Sequence, residues 1–136
     1  MNIVFICNEN SCRSQIAEIL SKKNNKNPNL KFYSCGTNIS SNINPYVFSS
    51  IKEIYNYEID KNLFFPKTID QLINQNIEIN YLISMGCDIG CPIISKQYNE
   101  NWNLVNPKNL NYDEFKLIVI EIENKVQKLL EIFKNI

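Results

Sequence analysis

Histidine does not occur in the 136 residues, and arginine occurs once, at Arg13. The first absence excludes every mechanism that runs through an imidazole, Ser-His-Asp and Cys-His arrangements included. It also leaves any metal site without its commonest nitrogen ligand, so no metal is expected. Charge of one sign is missing too: 14 Lys and Arg balance 14 Asp and Glu, and the basic residues are scattered along the chain. Without a one-sided positive face, nucleic acid is not an expected partner. No apolar run approaches the roughly 18 residues of a membrane span. The opening MNIVFIC has no basic segment before its short apolar run. Neither membrane association nor an export signal follows, and a cytoplasmic location is expected.

Linkers and internal repeats are lacking as well, and the only biased stretch is the Asn-rich turn from Asn24 to Asn29. At 136 residues and 44% apolar content, the chain is long enough for one core and short for two. Residues 1–136 therefore read as a single domain, expected to act as a monomer. The chain has five cysteines. In a reducing compartment they are read as buried small hydrophobes, reactive thiols or metal ligands before structural disulfides.

The elements that are present alternate. Asn2 to Ile6 is a β-branched and aromatic run that reads as a buried strand, and Ser14 to Lys23 carries Ile16, Ala17, Ile19 and Leu20 at helical spacing. Lys31 to Cys35 reads as a second strand ended by Gly36. A helix follows, with Asn44 as its cap and Pro45 in its first turn, running to about Tyr55. Thr68 caps a short helix through Asn74, Glu78 to Ser84 is the third strand, and a fourth short strand is expected near Trp102 to Val105. Phe115, Ile118, Val119, Ile122, Val126, Leu129, Leu130 and Phe133 recur at three- and four-residue steps and predict a long amphipathic helix. Strands alternating with helices imply an α/β fold, a small parallel four-stranded sheet flanked by helices on both faces. Ligands in such folds sit at the carboxyl ends of strands. The loop after Ile6 and the loop from Met85 to Pro92 share that edge, which allows Cys7, Cys12, Cys87 and Cys91 to converge.

Between the first strand and the first helix stands Cys7-Asn8-Glu9-Asn10-Ser11-Cys12-Arg13-Ser14, which separates a cysteine from the lone arginine by five residues. A loop of that length can curl so that successive backbone N–H groups point inward, and the helix behind it adds unpaired donors and a positive dipole end. The expected ligand is a tetrahedral oxyanion held by Asn8, Glu9, Asn10, Ser11, Cys12, Arg13 and Ser14. The planar fork of Arg13 grips two oxygens at once, a geometry that lysine cannot copy. The same field favours thiolate over thiol at Cys7 and makes it a nucleophile. Ser14 is placed to donate a further hydrogen bond to that thiolate, and Asn10 to brace the loop backbone.

These residues resemble the low-molecular-weight phosphotyrosine phosphatases and their relatives, the thioredoxin-coupled arsenate reductases. The resemblance is densest in NIVFICNENSCRSQIAE and continues through YSCGT at Tyr33 to Thr37. It returns in SMGCDIGCP at Ser84 to Pro92 and in the tract ending Asn106-Pro107. It implies an enzyme with Cys7 and Arg13 as catalytic residues, in one of two forms. In a reductase, Cys7 forms a thiol–arsenate adduct, a second cysteine attacks Cys7 to expel arsenite, and a third resolves the disulfide. Cys87 and Cys91 are the candidates for those two roles. No cofactor is bound, and an external reductant, thioredoxin or a small thiol, restores the thiols. In a phosphatase, Cys7 forms a phosphocysteine that water hydrolyses, and no second cysteine is needed. A non-catalytic oxyanion-binding relative is the third reading.

Two positions depart from the family pattern. Only three residues separate Cys87 from Cys91, where the best-known reductases have six, so a relay must work across a shorter loop. Asn106 stands before Pro107 where the family has an Asp that protonates the leaving group, and an amide cannot act as that acid. An ester needs the proton on its leaving oxygen, whereas arsenate can lose an oxygen as water protonated from solvent, so Asn106 favours the reductase. Asp88 and Asp113 are the acids that remain as substitutes. By the same resemblance, Cys12 fills space, pairs protectively with Cys7 or takes a required part in catalysis, and Cys35 is core. Certain reductases also hold a potassium ion near the loop. Asn10 and Glu18 match its positions, but Leu63 to Phe65 are apolar where Thr and Asp are expected, so the ion is not carried over. Glu18 reads equally as a first-turn helix acid. Tyr46, Tyr55, Tyr57 and Trp102 are read as core, or as the rim of a phosphotyrosine pocket.

Overall fold

The computed structural model describes residues 1–39, 42–86 and 98–136. Strands β1 (Asn2–Cys7), β2 (Lys31–Gly36), β3 (Tyr81–Ser84) and β4 (Glu100–Asn101) form one parallel sheet in the order β2-β1-β3-β4. The α-helices are α1 (Arg13–Asn24), α2 (Pro45–Tyr55), α3 (Ile69–Asn74) and α4 (Tyr112–Ile132), with 3-10 turns at Lys61–Leu63 and Pro107–Asn109. None of the helices is long and apolar enough to cross a membrane.

The alternation of side chains along β1 sorts the core into two layers. Ile3, Phe5 and Cys7 face the larger cluster, with Ile16 and Leu20 of α1, Val47 and Ile51 of α2, and Phe115, Val119 and Ile122 of α4. Val4 and Ile6 face the smaller one, with Cys35, Ile69, Leu72 and Leu82. Helices therefore cover both faces, and β1, buried on both sides, is apolar throughout after Asn2. Cys35 is core, as its place inside a strand suggests.

The helix starts follow their capping residues. Asn44 accepts from the N–H of Tyr46 at 2.9 Å ahead of Pro45. Thr68 and Gln71 exchange hydrogen bonds in a capping box. A second box, Asn111 with Glu114, starts α4 ahead of the first residue of its apolar stripe.

Two strand expectations require correction. β3 begins at Tyr81 rather than Glu78, because residues 78–80 are held by the side chain of Asn2, which donates to Glu78 O, and by Asn80 Oδ1, which accepts from Asn2 N–H. β4 lies at Glu100–Asn101 rather than Trp102 to Val105. Trp102 and Leu104 are buried and donate to Ser84 O and Met85 O, but Asn103 between them has φ 48°, which breaks the extended ladder.

Sheet order and chain order part company at β1. The chain leaves it for β2 on one side and returns to β3 on the other, so the crossovers diverge and leave a crevice beyond its carboxyl end. Cys7 is the last residue of β1.

Candidate active site

Past Cys7 the chain reverses at Asn10, whose φ of 54° lies in the left-handed region that asparagine tolerates. The reversal turns the N–H of Asn10 onto Cys7 Sγ at 3.3 Å. Ser14 Oγ stands 2.8 Å from the same sulfur, and Cys7 is 3% exposed. β2 closes on the loop from outside: a Cβ at Gly36 would lie 2.9 Å from both Asn10 N and Asn8 O, so only glycine permits the approach. α1 opens at Cys12 with no side-chain cap and no acid in its first turn, which leaves its first N–H groups and its dipole end available to an anion.

Asn10 braces the loop differently from the expected bond to loop backbone. Its Nδ2 donates to Ser14 Oγ at 2.7 Å and to Ser34 Oγ at 3.0 Å, while its Oδ1 accepts from Gln15 Nε2 and from the backbone N–H of Lys67, both at 2.9 Å. Glu18 is not in the first turn of α1. It lies one turn further on, 3% exposed, accepting from Ser34 Oγ at 2.6 Å and paired with Lys22 at 2.6 Å and Lys67 at 3.5 Å.

Arg13 is 4% exposed. Its Nη1 donates to three carbonyls, Leu104 O at 2.9 Å, Gly86 O at 3.1 Å and Met85 O at 3.4 Å. Nε and Nη2 donate to no described residue. One end of the fork is thus anchored on the segments that follow β3 and β4, and the rest of it faces a cavity of about 310 Å³ shared with Cys7. Asn8, Glu9, Ser11, Cys12, Asn44, Asn106, Pro107 and Lys108 complete the lining. Asn10 and Ser14 are fully buried and are not among the described residues that line the cavity.

Asn106 stands in that wall, its Oδ1 accepting from the N–H of Lys108 at 3.1 Å and so fixing the amide. Asp113 is no substitute acid: it is solvent-exposed, 3.5 Å from Lys116, and away from the cavity. Asp88, Cys87 and Cys91 lie outside the described residues, though Met85 and Gly86, which lead into them, are held by Arg13. Burial pushes the Cys12 thiol up to about 11, against weaker opposing hydrogen bonds from Ser11 and Asn44, so it stays protonated at neutral pH. Trp102 packs on Phe5, and Tyr46 on Tyr112 and Phe115. Tyr55 and Tyr57 pack against the main core. No aromatic residue is among the described residues of the cavity wall.

Sequence reasoning missed Ser34, Gln15 and Lys67, which hold the loop from behind. Gln15 stands in the tract NIVFICNENSCRSQIAE and Ser34 in YSCGT, the signals available, and Lys67 carries none.

The family model described as low molecular weight phosphotyrosine protein phosphatase matches residues 2–80, more than half of the chain. A relative from Staphylococcus haemolyticus (strain JCSC1435), named arsenate reductase 1, is 29% identical over 130 residues, covering 95% of this chain and 94% of that one. The thioredoxin-dependent arsenate reductase of Corynebacterium glutamicum superposes with a TM-score of 0.71 at 27% identity, covering 96% of this chain and 60% of the other. A low molecular weight phosphotyrosine phosphatase from Vibrio cholerae O395 superposes at 0.79 with 16% identity, over 99% and 97% of the two chains. The last likeness is one of fold.

Proposed function

Because the chain belongs to the low molecular weight phosphotyrosine protein phosphatase family, we propose that it is an arsenate-reducing member of it, with Cys7 as the nucleophile and Arg13 as the anion clamp. The observation that carries this reading is Asn106 in the cavity wall beside Cys7 and Arg13, an amide where an ester-cleaving enzyme needs an acid. The relative from Staphylococcus haemolyticus supports it across almost the full length of both chains. A polar wall without described aromatic residues suits a small oxyanion better than a phosphotyrosine ring.

In the proposed cycle, Cys7 thiolate attacks arsenic and one arsenate oxygen leaves as water, giving a thiol–arsenate adduct. Cys87 or Cys91 then attacks Cys7 Sγ. The S–As bond breaks with its electron pair left on arsenic, which is released as arsenite, while the two cysteines form a disulfide. The remaining cysteine of the pair displaces Cys7 from that disulfide, and thioredoxin or a small thiol reduces the product. Arg13 and the amide donors of the loop neutralise the anion during attack. A reducing cytoplasm suits a cycle that must regain two thiols per turnover.

Fully reduced protein mixed with stoichiometric arsenate, without external reductant, tests the proposal. Arsenite release with loss of two thiols, and a Cys87–Cys91 disulfide on mass mapping, is the expected result. Failure to form arsenite while thiols stay reduced would sink the relay. Turnover of a small phosphate ester through a Cys7 phosphocysteine would then favour the phosphatase form.

A further inference from the structure

Lys67 is 9% exposed, and no step of the proposed reaction uses it. Both its backbone and its side chain touch the groups behind the oxyanion loop. Its N–H donates to Asn10 Oδ1 at 2.9 Å and its carbonyl accepts from Gly36 N–H at 2.8 Å. Its ammonium lies 3.5 Å from each of Glu18 Oε1, Ser34 Oγ and Phe65 O. The other oxygen of Glu18 meets Lys22, whose side chain is largely solvated, at 2.6 Å. A carboxylate as deep as Glu18 requires cationic partners, and Lys67 is the buried one.

With Cys7 as a thiolate and Glu18 charged, both able only to accept, the donor inventory fixes the direction of every bond in this cluster. Asn10 Oδ1 accepts from Lys67 N–H and Gln15 Nε2, so the amide group can face only one way, and Nδ2 donates to both Ser14 and Ser34. A charged Glu18 only accepts, so Ser34 donates to it at 2.6 Å. Ser14 Oγ already accepts from Asn10, and its own hydrogen is left for Cys7 Sγ at 2.8 Å.

We propose that Lys67 is a positioning residue for Cys7: its ammonium holds Glu18 and Ser34 in place while its backbone N–H clamps Asn10 Oδ1, and together they orient the chain Glu18, Ser34, Asn10, Ser14 so that the Ser14 hydroxyl donates to the Cys7 thiolate. The inference rests on Cys7 being the nucleophile, but not on arsenate being the substrate. A hydrogen bond to a charged acceptor is about twice as strong as a neutral one, so losing its orientation slows Cys7 attack on any electrophile.

The test is alkylation of Cys7 by iodoacetamide in the full-length reduced chain at pH 7, without oxyanion, followed by peptide mass. Lys67→Met is expected to slow it about tenfold, the scale of one hydrogen bond to a charged group. In a Ser14→Ala background the same change is expected to add little, because the effect travels through Ser14. Ser34→Ala breaks the chain without touching the ion pair and is expected to slow alkylation too. It replaces Lys67→Met as the test should that variant not fold, as judged by circular dichroism. Unchanged rates in the single variants overturn the proposal. So does a Lys67→Met effect that persists in full without the Ser14 hydroxyl, since the lysine would then act by its charge alone. A Cys7 that reacts no faster than the other cysteines in the unaltered chain removes the nucleophile reading itself.

Discussion

Arg13 performs two tasks with one side chain. Its Nη1 ties down the carbonyls of Met85, Gly86 and Leu104, and the rest of the guanidinium faces the cavity. Lysine carries the same charge but has one nitrogen, which cannot stay anchored at 2.9 Å from Leu104 O and also grip two oxygens of an anion. Arg13→Lys is therefore expected to weaken oxyanion binding by at least about tenfold, the scale of one charge-assisted hydrogen bond. The affinity is read from protection of Cys7 against iodoacetamide by inorganic phosphate or arsenate. Unaltered protection would show that the loop amides alone bind the anion. At this scale the sequence was informative about identity and less so about contact. Cys7, Arg13 and Asn106 line one cavity. The bracing of Asn10 by Ser34 and Lys67 was not readable, because those partners lie 24 and 57 residues away.

Among the elements, α4 owes its first turn to Asn111 and Glu114, which close a capping box before the apolar stripe begins. Asn111→Ala removes the acceptor for Glu114 N–H and should cost about 1 kcal/mol, a drop of a few degrees in Tm. The Cys7 alkylation rate should stay unchanged, since Asn111 lies outside the cavity wall. A thermal melt and the alkylation assay check both halves, and a loss of reactivity would mean that α4 couples to the loop. β4 teaches the complementary lesson. A strand was expected near Trp102 to Val105, yet the left-handed Asn103 confines the ladder to Glu100 and Asn101. Period-two burial arises wherever a chain crosses a core edge in a crooked path, and the backbone reversal carried no signal apart from one more asparagine.

For the whole molecule, burial of thiols adds to the response to alkali that the Tyr55 and Tyr81 hydroxyls, both pushed up to about 12 mainly by burial, also give. Cys12 is held up at about 11 and Cys35 at about 12, both by burial, against an ordinary value of 9.0. Once unfolded, both ionise near that ordinary value, so above it the unfolded chain has released protons that the folded chain retains. Their contribution to stability is full below about 9 and declines as pH rises toward their folded values. The denaturant midpoint should therefore fall through this range, and Cys35→Ala should flatten the fall. A midpoint indifferent to alkali would mean that these thiols ionise in place without unfolding the chain.

Local pattern alone determined most of the elements, the α/β class and the strand-to-helix loop with its Cys-x5-Arg spacing, because each depends on residues within a turn or two of one another. Tertiary structure decided the rest. The β2-β1-β3-β4 order puts Cys7 at the mouth of a crevice between diverging crossovers, and folding brings Met85 and Leu104 onto Arg13. It also sets Lys67 behind Asn10 and Glu18. These depend on which distant segments pack together, and the hydrogen bonds that result are invisible in one sequence because they join residues whose spacing has no period.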